Sequence, residues 1–333
     1  MFDFLFVLVL LPFMDEGGDM NGSFLEFAKD RHVQFMEDYS EGEFEMISNT
    51  SQSRSSVLSR VKVLGNLYVD RDFMLVQQGE RINSKLSEDQ ILRWQDSGKN
   101  EWNGEWEAVG IRCTSSKYDF AIRLPAPGST PGTDGPTFEL EKLEMLDEKN
   151  SFSNSQRRGG YHLDCVGAIL GVPLIEAVEK NLVKILEWEE NGSDGPRLLV
   201  AYNINGFRGT MQVTIEYYFD MATRLVREEI EKIGGSEYKR KIEYTTGKKP
   251  WISRLRFQVF EGGKEFASSL TYCGPFASVQ VDKEDFMVSS YGFPEPAVRL
   301  KPGYPWGNIL LFIFGALLIS VPLVFAFFKR KMS

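Results

Sequence analysis

Apolar and polar residues alternate over long stretches of this chain. Between Met211 and Phe219 the positions Met211, Val213, Ile215, Tyr217 and Phe219 are apolar or aromatic, while Gln212, Thr214, Glu216 and Tyr218 between them are polar or amphipathic. A period of two sends the two sets to opposite faces of a strand, which predicts an antiparallel strand with one face covered and one face wet. Tyr118, Phe120, Ile122 and Leu124 repeat the pattern. Segments 42–49, 57–64, 67–69, 73–77, 237–244, 251–260 and 266–272 also read as strands, with reversals at Asp70-Arg71-Asp72, at 247–250 and at Gly262-Gly263. Asp220 to Arg224 suits a short hairpin loop between 211–219 and 225–230. Together these predict about ten short strands joined locally, a meander and not a crossover α/β sheet.

A helical period interrupts the meander. Ser23 and Glu26 form a capping-box pattern that opens a helix to about Met36, with Leu25, Ala28, His32 and Phe35 on one stripe. His32, alone on an apolar stripe, reads as a packed histidine and not a ligand. Ser87 and Gln90 form a second box and open a short helix through Trp94. Pro173 fits a first helical position, placing Leu174, Val178 and Leu182 on one face. Segment 139–146 fits a helix through Leu140, Leu143 and Leu146 and fits a strand nearly as well. The run PAPGSTPGTDGP, 125–136, holds neither; similar strand patterns on both sides make it a loop within one domain.

The two ends differ from the middle. Residues 307–328 are 22 in number and carry no charge. As a helix they would be about 33 Å long, enough to cross a hydrocarbon core of roughly 30 Å. Lys329, Arg330 and Lys331 follow the span directly, whereas Arg299 and Lys301 stand before it, so the tail is expected in the cytoplasm and the large domain outside. The apolar stretch from Phe4 to Met14 has the length of a signal h-region, although Asp3 occupies the n-region and no small-residue cleavage site follows. The expected layout is a signal-like segment 1–19, a β domain 20–290, a proline-rich stalk 291–306, a single transmembrane helix 307–328 and a basic tail 329–333. Localisation is then the cytoplasmic membrane, single-pass, with the β domain extracytoplasmic. Without export by the first segment, the same span is a tail anchor and the topology inverts.

Composition narrows the function. Hydrophobic residues at 42% and charged residues at 26% suit a globular domain, and a net charge of −9 without a basic block before the tail excludes a nucleic-acid binder. Two histidines exclude a histidine-rich metal centre, and Cys113, Cys165 and Cys273 lack zinc spacing. One disulfide with a spare thiol, or three buried thiols, both fit. No hydrolase, zincin, phosphate-loop or dinucleotide motif occurs, so no catalytic residue, metal or cofactor is expected. His162-Leu-Asp-Cys165 is the nearest approach to an activated nucleophile, and its residue types alone do not bring thiolate and imidazole together. Carboxylate pairs such as Glu189-Glu190 and Glu228-Glu229 read as solvated among 47 acidic residues. Trp94, Trp102 and Trp106 gather in WQDSGKNEWNGEW as candidate surface aromatics, either a lip or partner surface or a cover over the sheet.

Three stretches carry a resemblance: YFDMATRLVREEIE from Tyr218 to Glu231, PWISRLRFQVFEGG, and FMVSSYGFPEP. With the capped N-terminal helix and the meander, they resemble the outer-membrane lipoprotein carrier superfamily and its membrane-anchored bacterial relatives. That resemblance implies an α+β, mainly antiparallel fold: a strongly curved, incomplete β-barrel with helices on the concave side. It implies no catalytic residue, and either an apolar cavity for acyl chains or a surface that senses lipoproteins. Met211, Val213, Ile215, Tyr217 and Phe219 are the candidate lining residues, although core packing explains them equally. The expected partners are the membrane and a lipid, a lipoprotein or another envelope protein. A chain with its own span would hold or sense such a ligand locally and not ferry it. A scaffold module that offers a sheet edge or the tryptophan-rich loop is the alternative.

Overall fold

The structure, a computed structural model, describes residues 18–66, 74–82, 84–97, 107–114, 118–123, 139–145, 164–169, 172–206 and 209–293. Helix α1 (Gly18–Asp38) leads into strands β1 (Glu41–Thr50), β2 (Ser56–Leu64) and β3 (Met74–Ile82). Helix α2 (Glu88–Ser97) is followed by β4 (Glu107–Thr114), β5 (Tyr118–Arg123) and β6 (Glu139–Met145), which settles that ambiguous segment as a strand. A two-residue hairpin, β7 (Ala168–Ile169) and β8 (Val172–Pro173), precedes α3 (Leu174–Glu179). The chain then runs through β9 (Lys184–Glu189), β10 (Arg197–Gly206), β11 (Gly209–Phe219), β12 (Val226–Ile233), β13 (Ser236–Tyr244), β14 (Ile252–Glu261) and β15 (Lys264–Cys273).

Thirteen of the described strands form one open, curved antiparallel sheet in the order β6-β5-β4-β3-β2-β1-β15-β14-β13-β12-β11-β10-β9. It is the expected meander with one long-range exception. β1 pairs with β15, setting Met46 opposite Cys273 and Thr50 opposite Ser269, and so joins two local meanders edge to edge. Just beyond β15 the chain crosses the start of β1, where Glu43 and Ala277 exchange backbone hydrogen bonds of 2.9 and 2.8 Å. Gly42 permits that approach, because a Cβ there would lie 2.3 Å from the Ala277 carbonyl oxygen.

Both faces of the sheet are covered near the β1–β15 seam. Met46 and Ile47 are neighbours, point to opposite sides and are both buried, at 1% and 0% exposure. On the inner face, Phe44 and Met46 join a large core with α1, α3 and the ends of β9–β14. On the outer face, Ile47, Leu58 and Tyr272 pack beneath Ile91 and Trp94 of α2. Further along, Val76, Ile111, Phe120 and Ile122 pack beneath Phe286 and Val288, which belong to the two 3-10 turns Lys283–Phe286 and Val288–Tyr291. Helices on the concave side alone were expected, but α2 lies opposite α1. The reason is that β1 and β2 carry apolar residues at both parities, so each face needs a cover.

Helix α1 buries Phe24, Phe27, Ala28, His32, Phe35 and Met36, a stripe at three- and four-residue spacing. Phe24 and Phe27 lie 5.8 Å from the ring of Phe219. His32 is buried; its Nε2 lies 3.1 Å from the Arg224 carbonyl, and burial lowers its pKa to about 4, so it is a neutral core residue. The helix is already formed at Gly18. Ser23 is therefore mid-helix and no cap; its hydroxyl instead accepts from the Trp188 indole at 3.1 Å. The box at α2 forms as expected, with Gln90 N–H donating to Ser87 Oγ at 3.3 Å and Ser87 N–H to Gln90 Oε1 at 2.9 Å. Pro173 is the N-cap of α3 and not its first residue. Asn181 at φ 52° stops that helix, leaving Leu182 beyond its end.

Segments 67–69 and 70–72, the 125–136 run, Trp102, Trp106, His162, the apolar start, and the stalk from 294, span and tail lie outside the described residues. Among the described residues no helix is long and apolar enough to cross a membrane. Phe219→Ala, which empties a site shared with Phe24, Phe27 and Trp188, is expected to destabilise by about 3–5 kcal/mol, and Met211→Ala by under about 0.5 kcal/mol. Urea unfolding of the two variants measures the contrast; equal losses would place both ends of β11 in one core.

Candidate functional site

The inner face is filled only in part. Row by row, the register lines up Leu198, Tyr217, Glu229, Arg240 and Phe257 across β10–β14, and beside them Ile215, Glu231, Tyr238 and Val259. Toward α1 this face is dry, with Tyr217 at 0% and Phe219 at 1% exposure. Toward the β10–β11, β12–β13 and β14–β15 turns it stays apolar but is partly exposed: Ile204, Ile233, Tyr238, Phe257 and Val259 are half-buried and Met211 is 41% exposed. Tyr238 and Phe257 stack with ring centroids 6.5 Å apart.

A charged group stands between the dry and the open parts. Arg240 Nη1 donates to Glu229 Oε1 at 2.9 Å and lies 3.3 Å from Asp164 Oδ1, on the segment that leads into the core cover. The Tyr202 hydroxyl donates to Glu231 Oε1 at 3.2 Å. A bulge turns the two glutamates inward. Phe219 pairs with Val226 but Tyr218 pairs with Glu228, so Arg227 is an extra residue and the parity of β12 changes after it. Glu229 is 6% exposed, and its Oε2 is buried without a hydrogen-bond partner. Burial pushes its carboxyl up to about 7; Arg240 pulls against that, and Asp164 and Glu231 add to it. Burial also raises Asp164, against the pull of Arg240. Arg240 stays protonated, since its carboxylate neighbours outweigh the effect of burial.

The expected lining residues thus divide. Val213, Ile215, Tyr217 and Phe219 sit in the packed core and Met211 in the open part of the same face. Of the two readings of Trp94, the cover over the sheet is the one that forms: it is 3% exposed on the buried side of α2, and one edge of it borders an outer-face cleft of about 580 Å³. Arg60, Lys62 and Tyr291 also line that cleft. Its cations are already matched, Arg60 by Glu45 and Glu80 at 3.0 and 2.7 Å and Lys62 by Asp285 at 2.9 Å. The three cysteines are free and buried. Burial holds the Cys165 thiol well above the usual thiol range, opposed only by a hydrogen bond with Tyr244, so it lacks the thiolate that a nucleophile requires. Among the described residues no cluster suits a metal ion. The inward glutamates escaped the sequence reading, where Glu228-Glu229 looked solvated; the signal was Ile233, which shares the parity of Glu229 and Glu231 and is out of phase with Val226.

No protein-family model matches the sequence, and no curated protein matches it. Among solved structures the chain is similar to a domain from Vibrio parahaemolyticus named for outer membrane lipoprotein sorting, at 12% identity and a TM-score of 0.43, over 81% of this chain and 98% of that one. It is also similar to a LolA superfamily protein from Nitrosomonas europaea at 10% identity and 0.38, over 80% and 97%. A DUF1329 family protein from Desulfovibrio piger follows at 9% and 0.36, over 78% and 96%.

Glu229 gives the site a pH signature. Its carboxyl ionises near 4.5 in the unfolded chain and about 7 in the folded one, so its contribution to stability is fully present below the first value and lost as pH rises through the second. Glu229→Gln is expected to remove that loss, gaining on the parent chain by about 1–3 kcal/mol between roughly pH 5 and pH 8. Urea unfolding across this range checks it; a difference that does not vary with pH would show Glu229 ionised throughout.

Proposed function

We propose that this chain is a membrane-anchored, extracytoplasmic binding protein that holds an apolar ligand, an acyl chain or a lipoprotein, against the open part of its inner sheet face. The observation that carries the reading is the continuation of one apolar face beyond the cover of α1. There Met211, Ile204, Tyr238, Phe257 and Val259 are left partly exposed while the same strands are dry a few residues away. Apolar surface of this kind gains roughly 25 cal/mol for each Å² that a ligand removes from water. The distant likeness to solved structures adds nothing to this argument. Anchoring is read from the uncharged 307–328 segment and its basic flank. A non-enzymatic role agrees with the buried thiols and with a site built from apolar residues and charge pairs.

The full chain purified from membranes is expected to carry lipid that organic extraction releases. Val259→Glu, a charge in the middle of the open surface, should remove most of it, since a buried unpaired carboxylate is strongly disfavoured. A chain that arrives without lipid, takes none up and is indifferent to this substitution would overturn the binding role. Release of the chain from membranes by alkaline carbonate would overturn the anchoring.

A further inference from the structure

Three carboxylates, from Asp164 before β7 and from Glu229 and Glu231 on β12, face one guanidinium, Arg240 on β13. Among the described residues it is their one cationic neighbour. Its charge is divided between Asp164 and Glu229, and Glu231 has only the Tyr202 hydroxyl. Glu229 Oε2 is buried and has no donor at all. Asp164 and Arg240 are 20% and 29% exposed at their side chains and Glu229 8%, so solvent reaches the first two while the unmatched Glu229 oxygen is buried beside them. The same row continues into Phe257, and the next holds Tyr238 and Val259 of the open apolar surface.

We propose that the ligand of the inner face ends in a cationic hydrogen-bond donor, an alkylammonium group, which sits against Asp164, Glu229 and Glu231 while its chain lies on Tyr238, Phe257 and Val259. This rests on the reading above that the face takes an apolar chain, and it adds the chemistry of the polar end. An ammonium supplies the positive charge the group lacks and can donate to the unmatched Glu229 oxygen. A carboxylate or phosphate end would add negative charge beside three carboxyl groups, with the one guanidinium already engaged. Burial chiefly raises the Glu229 carboxyl to about 7, with Asp164 and Glu231 adding to it, and a bound ammonium would act in the opposite direction.

The full chain in membranes can be exposed to three photoactivatable decyl probes that differ only in the end group, an ammonium, a hydroxyl or a carboxylate. Labelled peptides are then quantified by mass spectrometry relative to probe in the membrane. The ammonium probe is expected to label β10–β14 about ten-fold more than the carboxylate probe, the worth of one charge-assisted hydrogen bond, with the hydroxyl probe between them. Glu231→Gln and Glu229→Gln should each bring ammonium labelling down toward the hydroxyl level and leave hydroxyl labelling unchanged, which also reports that the variants are folded. Equal labelling by all three probes, or a preference that survives both substitutions, overturns the ammonium assignment and leaves the apolar site standing. No labelling of these strands by any probe overturns both.

Discussion

Backbone pairing between β1 and β15 brings together residues far apart in the chain, so that Ser48 and Thr271, 223 positions apart, share a hydrogen bond of 2.9 Å. Either meander can form from local hairpins, but the loop closure behind the seam is unfavourable until side chains pack across it. The seam supplies that packing on both faces. Met46 and Cys273 join the inner core, while Ile47 and Tyr272 join the cluster under α2. Removing this pairing would leave two smaller sheets, each with a new open edge in place of a two-sided core.

The seam also sets where the sheet needs helices. Since both parities are apolar in β1 and β2, α1 is fixed on the inner face and α2 on the outer. Away from the seam, the outer face of β9–β14 carries cross-strand ion pairs instead, such as Arg197 with Glu187 at 2.9 Å and Lys239 with Glu228 at 2.6 Å. Exposed pairs of this sort contribute under about 1 kcal/mol each, so they keep that face wet more than they stabilise it. Among the described residues, the inner face has neither helix nor ion ladder at its far end. It is therefore left apolar and open, with the Arg240 group along the border.

The repeated strands, the box at α2, the buried His32 and the hairpin at Asp220–Arg224 were legible because each depends on residues within one turn or strand. Asp220 shows why: its Oδ1 accepts from the Ala222 and Thr223 amides at 3.0 and 2.8 Å, a contact wholly inside the loop. Ser23 misled because a capping box needs a free helix end, and α1 continues five residues before it. Trp94 could be read either as a surface aromatic or as a cover, because polar neighbours in sequence say nothing of what packs from Ile47 and Tyr272. For β11 the alternation separated the faces, yet it could not separate Phe219, beneath α1, from Met211, beyond its reach.

Local pattern by itself determined the strands, their order as a meander and the sidedness of most of them, because a period of two is a property of consecutive residues. Tertiary structure alone decided which half of the inner face is filled, since that depends on where α1 ends against strands nearly two hundred residues away. It also decided which carboxylates face inward. One extra residue in β12, Arg227, reverses every side chain after it, and only pairing with β11 shows that Arg227 has no partner.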